Sequence, residues 1–191
     1  MSEKALLSAA VRLALAVNKA TDENLPESVA NIVKLHSGIA VGTALVPVPG
    51  VNIVAGAGNI WTMYLRLNDE VGVPFSQNVI KSLAVGVLTN IGGAAIGVLL
   101  VGTALRFIPG IGSIGGAALT AGVSYAITLA SGIVYMNALA KIVEMQNGGR
   151  SVSAEDLKAA LDEELSQKDI IKDILKQARD SYKRDNPDGK S

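Results

Sequence analysis

The chain has no cysteine and one histidine, His36. The first absence excludes disulfides, thiolate catalysis and cysteine-ligated metals. The second leaves His36 without the partners a zinc site needs, so it reads as a structural or interfacial residue, and no metal is expected. Charge is missing in bulk as well as in sign: 17 basic residues balance 17 acidic ones, so the basic excess that nucleic-acid binding normally requires is absent. Aromatic residues make up only 4% of the 191 residues.

The most informative absence is positional. Of the 34 charges, eight precede Leu35, four lie between Arg66 and Lys81, one is Arg106, and twenty-one follow Ala140. Three uncharged tracts remain, 35–65, 82–105 and 107–140. About 18 consecutive apolar residues is the usual threshold for a membrane helix. The tracts contain no Asp or Glu, which argues against an intramembrane proton or cation path. GxSxG, a P-loop and an inward carboxylate pair are also missing. The chain is therefore expected to be non-enzymatic, with no catalytic residue and no cofactor.

What is present reads as all-α: a membrane helical bundle of two Pro-Gly-turned hairpins, an amphipathic N-terminal helix and a C-terminal pair of soluble helices. The divisions are 1–146 for the membrane-associated hairpin domain and 147–191 for the appendage and its tail. In the first helix Leu6, Ala10, Leu13 and Val17 form one face, and Lys4, Ser8, Arg12 and Lys19 another. Arg12 interrupts the run that would otherwise suggest a signal peptide. A second helix opens at Leu25-Pro26, where proline is tolerated, and runs to about Val46. Pro47, Pro49 and Gly50 then make a turn, and a third helix runs to about Val71.

The arms of this first hairpin, Leu35–Val46 and Val51–Leu65, are roughly 18 and 22 Å long as helix. Both fall short of a hydrocarbon core of about 30 Å, so the hairpin is expected to be re-entrant, interfacial or packed on the second one. Trp61, Tyr64 and Arg66 have the composition of an interfacial belt, with ordinary core aromatics as the alternative. After Pro74, Ser76 is the expected N-cap of a fourth helix. Its uncharged run is roughly 36 Å long, enough to cross a bilayer. Pro109, Gly110 and Gly112 form the second turn, and a fifth helix continues to about Met145.

Small and polar residues recur at helical spacing in both helices of this second hairpin. Ser82, Gly86, Asn90, Gly93 and Gly97 form one ridge; Gly112, Gly116, Thr120, Ser124, Thr128, Ser131 and Tyr135 form the other. Between apolar helices in lipid, such ridges permit close approach and interhelical hydrogen bonds, so they are expected to face each other. A pivot at Pro109-Gly110 brings Asn90 near Leu129 and makes Asn90 with Thr128 the expected polar fastener. Gly110, Gly112 and Gly115 also match GxGxxG, but no strand precedes them and the next acid, Glu144, lies far beyond the roughly 20-residue offset of a ribose ligand. The glycines read as a turn between close helices.

Beyond Lys141 the sequence becomes soluble in character. Ser153 with Asp156 starts one short helix and Ser166 with Asp169 another, whose apolar face is Ile170, Ile171, Ile174, Leu175, Ala178 and Tyr182. The pair is expected to cap the bundle. Glu155, Asp156, Asp162, Glu163 and Glu164 read as a solvated face. Two hairpins inserted from one side would leave both termini in the cytoplasm, at a bacterial inner membrane or its equivalent.

The turn Val46-Pro-Val-Pro-Gly-Val-Asn52, the Met63-Tyr64 helix ending at Gly72-Val-Pro74, and Phe107-Ile-Pro-Gly-Ile-Gly112 together resemble a GTPase-associated helical membrane-hairpin family of bacteria and plastids, the YcjF-like proteins. The resemblance spans residues 30–145. Members carry a membrane hairpin and often occur fused to, or encoded beside, Era-like or dynamin-like GTPases. The resemblance implies membrane association and makes a GTPase a candidate partner; it carries over no catalytic residue, and this chain contains no GTPase domain. The expected partners are thus the lipid bilayer, a GTPase and further copies of the chain as a homo-oligomer. The leading expectation is a protein that anchors, shapes or scaffolds membrane and recruits a partner. The alternatives are an oligomeric pore or channel of glycine-rich hairpins, and a soluble helical assembly protein with an unusually apolar core.

Overall fold

In a computed structural model, residues 2–17, 25–44, 51–95 and 114–185 are described. They form seven helices, with no strand among the described residues: α1 Ser2–Ala16, α2 Leu25–Ala44, α3 Val51–Val71, α4 Gln77–Ala95, α5 Ile114–Asn147, α6 Ala154–Ser166 and α7 Lys168–Asp185. The all-α expectation holds. Pro47, Pro49, Gly50, Gly97, Pro109, Gly110 and Gly112 lie outside the described residues, so both expected turns do too.

The helix ends follow local chemistry. Gly72 ends α3 at φ +72°, with Val73 N–H bonded to Asn68 O at 3.0 Å and Gly72 N–H to Asp69 O at 3.3 Å. Gly149 repeats this after α5 at φ +78°, through Arg150 N–H to Met145 O and Gly149 N–H to Gln146 O. These are paired Schellman bonds, which glycine permits because it adopts a left-handed backbone without a Cβ penalty. Ser153 and Asp156 form the expected capping box of α6. Ser166 instead donates to Glu163 O; it closes α6, and α7 begins two residues later.

At about 51 Å, α5 is the longest element and the centre of the molecule. It touches all six other helices. Around it α1 packs on α2, α2 on α3, α3 on α4, α4 on both α6 and α7, and α7 on α1, so the ring closes. One continuous core runs from Leu6 on α1 to Ala178 on α7. A helix apolar on every side is either a membrane span or the buried centre of a larger bundle. Within the described residues Ala121–Asn147 is the one stretch long and apolar enough to cross a membrane, and its apolar window is 83% buried by protein.

Two-hairpin membrane insertion, with α4 and α5 as crossing partners, is therefore not supported. The physical obstacle is α7. Lys141 on α5 pairs with Glu163 and Glu164 of α6; about 28 Å further along α5, Gly122 and Tyr125 meet Tyr182 near the end of α7. A helix carrying Lys176, Arg179, Asp180 and Arg184 thus lies beside the tract expected to cross the bilayer, where ionised side chains are costly. Rather than capping one end, the C-terminal pair packs into the ring around α5, with Ile171, Ile174, Leu175 and Ala178 of α7 buried; Ile170, assigned to the same face, is 55% exposed.

Candidate functional site

Two features occupy the interior of the α2–α5 bundle: a seam of buried polar side chains and, beyond it, an apolar cavity. The seam begins with His36 on α2 and Asn59 on α3, which are buried at 2% and 8% exposure. His36 Nδ1 lies 2.7 Å from Asn59 Oδ1, and Asn59 Nδ2 donates to the His36 carbonyl at 2.8 Å. The second bond fixes which amide atom faces the ring, so Nδ1 carries the proton and Nε2 does not. His36 Nε2 is buried without a partner. Burial lowers the His36 pKa, and the nearby Arg66 charge adds to the effect, against the hydrogen bond that the ring donates to Asn59. A neutral imidazole results.

One and two turns along α3, the seam passes to α5. Tyr64 donates to the Ser131 carbonyl at 3.2 Å, while Asn68 Nδ2 bonds both the Tyr64 carbonyl and the Tyr135 hydroxyl, at 2.7 and 2.5 Å. The Tyr64 and Tyr135 rings stack with centroids 3.7 Å apart and an interplanar angle of 5°. Both are fully buried. The rings lie nearly face to face, closer than the roughly 4.5–7 Å of offset or edge-to-face pairs, so the contact contributes through the apolar area it buries.

The expected interfacial trio is thereby separated. Tyr64 is a core residue, because its hydroxyl finds a carbonyl on α5 and its ring a partner there. Trp61 is half-buried, with Lys81 Nζ 5.6 Å above its ring and its indole Nε1 buried and unpartnered. Arg66 is exposed. The sequence reading missed Asn59 and Asn68 as members of the seam. A signal for Asn59 was present: folding the chain about Pro47–Gly50 brings position 36 opposite position 59.

Among the described residues the two small-residue ridges are not packed together, and Gly93 faces Ser124 and Thr128 only across the apolar cavity. On α4, Ser82, Gly86, Asn90 and Gly93 are exposed, and the buried face is Ile80, Ala84, Val87, Ile91 and Ala95. Asn90 is exposed, Thr128 is buried, and the two do not bond. Large aliphatic side chains remove more apolar area around α5 than glycines can, which turns this face of α4 inward. The small residues of α5 serve other neighbours: a Cβ at Gly132 would stand 2.6 Å from Val33 Cγ1 on α2, and one at Gly122 would stand 3.1 Å from the Tyr182 ring on α7. Ser131 donates to the Ile127 carbonyl. Gly116 and Thr120 fall within the first turns of α5.

Ser124 and Thr128 line the cavity, whose volume is about 420 Å³. Its other walls are Ala40, Thr43 and Ala44 of α2, Gly56, Ala57 and Ile60 of α3, and Val85, Leu88, Thr89, Gly92 and Gly93 of α4, with Ile127 completing α5. None of these is charged or aromatic. Thr43 and Thr89 donate to carbonyls of their own helices, Ala40 and Val85. Val85, Thr89 and Gly93 are exposed as well as lining, so the cavity reaches the surface along α4. At about 24 cal/mol per Å³, an empty, sealed space of this size would cost on the order of 10 kcal/mol, comparable to the whole stability of an ordinary domain. Water, a ligand or lipid must fill it.

At the opposite, charged end, Lys141 bridges Glu163 and Glu164, each at 2.8 Å. Burial opposes its ammonium, but the two carboxylates together raise its pKa. Glu164 is 7% exposed, so the acidic run is only partly a solvated face. Among the described residues no group of three or more His, Cys, Asp or Glu side chains could hold a metal. The arrangement offers a buried amide–imidazole pair, stacked phenols and an aliphatic hollow; it provides no nucleophile paired with a base. No family model, curated protein or solved structure matches the chain.

Proposed function

We propose that the protein is a non-enzymatic helical scaffold that attaches to a membrane by one end of its bundle and recruits a partner by the other. The supporting observation is the uncharged convergence of four helix ends around the cavity, bordered on one side by the charged end of α7 beside Gly122. The ends of α2 and α4 and the beginnings of α3 and α5 carry no charged residue there, and in sequence the intervening 45–50 and 96–113 contain only one, Arg106. Ile39, one turn before the end of α2, and Val85, midway along α4 on the cavity wall, are exposed at 42% and 49%. A pole bathed in water would ordinarily be studded with charges. Shallow seating of this end in lipid leaves α6, which pairs with Lys141 at the other end, free to meet a partner, for which the resemblance to GTPase-associated hairpin proteins makes a GTPase the first candidate.

Flotation of the purified chain with liposomes tests the attachment. The chain should float, and Ile39→Asp with Val85→Asp should reduce flotation at least fivefold at an unchanged thermal midpoint. Leu15→Asp, on exposed α1, should leave it intact. A chain that stays with the soluble fraction, or a double variant that floats like the parent, would overturn attachment through this pole.

The enclosure of α5 favours a second reading, a water-soluble assembly protein whose apolar tracts form its own core. The same flotation separates the two, because this reading expects the chain to remain in the aqueous fraction.

A further inference from the structure

The cavity between α2, α3, α4 and α5 has walls that define a ligand class. Its volume, about 420 Å³, lies within the roughly 300–1,000 Å³ of ligand pockets. Among the described residues no lining residue is ionisable, so they offer a charged group no counter-charge, and none is aromatic, so they offer a planar ring nothing to stack on. The Thr43 and Thr89 hydroxyls donate to backbone carbonyls, so on the α2 and α4 walls their side chains offer water acceptor lone pairs but no donor. From Val85 to Gly93 the lining runs about 12 Å along α4, longer than a compact solvent-sized pocket needs. A Cβ placed at Gly56, Gly92 or Gly93 would meet nothing within 4 Å, so this stretch of α3 and α4 has room beside its backbone. The exposed lining residues provide the way in along α4.

We propose that this cavity holds a single aliphatic chain, that of a free fatty acid or of a phospholipid whose polar end remains outside. The inference does not require membrane attachment, since a water-soluble carrier would present the same hollow.

Photolabelling of the full-length protein tests it, with palmitic acid and a phosphatidylcholine each carrying a diazirine on the acyl chain. Label should map to peptides holding Ala57, Leu88 and Ile127, and a tenfold excess of unlabelled palmitic acid should remove it. Labelling by the fatty acid alone or by both probes identifies the source of the chain. Gly92→Leu combined with Ala57→Leu fills the hollow and should cut labelling at least tenfold with the thermal midpoint equal to or above the parent's. Gly86→Leu, on the exposed side of the same helix, should label like the parent. Label spread over exposed apolar residues such as Leu7 and Leu15, absence of label with both probes, or undiminished labelling in a folded filled variant would overturn the proposal. Should the filled variant fail to fold, the parent's label map and its competition decide.

Discussion

His36 must stay neutral where it stands, because its ring is enclosed, its Nε2 has no partner to share a second proton, and Arg66 repels positive charge. Its pKa is therefore lower in the folded chain than the ordinary 6.5 of the unfolded one. As pH falls through that value the unfolded chain takes up the proton first, so stability is full above about pH 6.5 and declines below it. The Asp156 and Glu163 carboxyls are held below their ordinary values, by the Ser153 backbone and by Lys141 respectively. Their stabilisation is lost only at lower pH, as each falls through its depressed folded pKa. Thermal midpoints measured from pH 7 to pH 5 should fall steadily for the parent and stay nearly level for His36→Gln. Equal slopes would place the proton uptake elsewhere.

Among the elements, α2 and α5 approach most closely where Gly132 meets Val33. Gly132→Ala drives a methyl into Val33 and should cost about 1–3 kcal/mol in chemical denaturation, with part of the loss recovered when Val33→Ala is added. The cycle should show coupling of at least about 0.5 kcal/mol. Gly86→Ala supplies the contrast: its Cβ meets nothing, and helix propensity alone should stabilise by up to about 1 kcal/mol. The same comparison explains how far these elements could be read in advance. The boundaries of α2, α3, α5 and α6 follow from Pro26, Gly72, Gly149 and Ser153, all of them local chemistry. The His36–Asn59 pairing follows from a connection of only six residues, 45–50, which limits the register. Asn90 and Thr128 are separated by a connection of 18 undescribed residues, 96–113, and an assumed pivot there did not bring them together. Which side of α4 faces inward was settled by the volume that α5 and its neighbours must fill, a quantity no single helix displays.

At the scale of the molecule, α5 shows why a membrane span and a core helix read alike in sequence. Uniform apolarity records only that a helix avoids water, and lipid or six protein neighbours satisfy it equally well. Charge segregation was readable and remains in part: the four helix ends around the cavity are uncharged and Lys141 with Glu163 and Glu164 marks the other end, but the charged end of α7 reaches Gly122. The cavity could not be read, because it depends on small residues of four helices converging. Enclosure also predicts dynamics. Amides of α5 between Ala126 and Ala140 should exchange hydrogen only through global unfolding, and those of α7 should exchange through smaller openings. Protection of α7 equal to that of α5 would mean that the ring opens only as a unit.

The ring around α5 is assembled from helices made both before and after it. While the chain is being synthesised, α1 to α4 are available when α5 emerges, but the last residue of α7 follows Asn147 by 38 residues. At about 5–20 residues per second, an apolar helix long enough for a bilayer stands bare along its α6 and α7 side for roughly 2–8 s. Whether α5 meets lipid or its own C-terminal helices is a race decided in that interval.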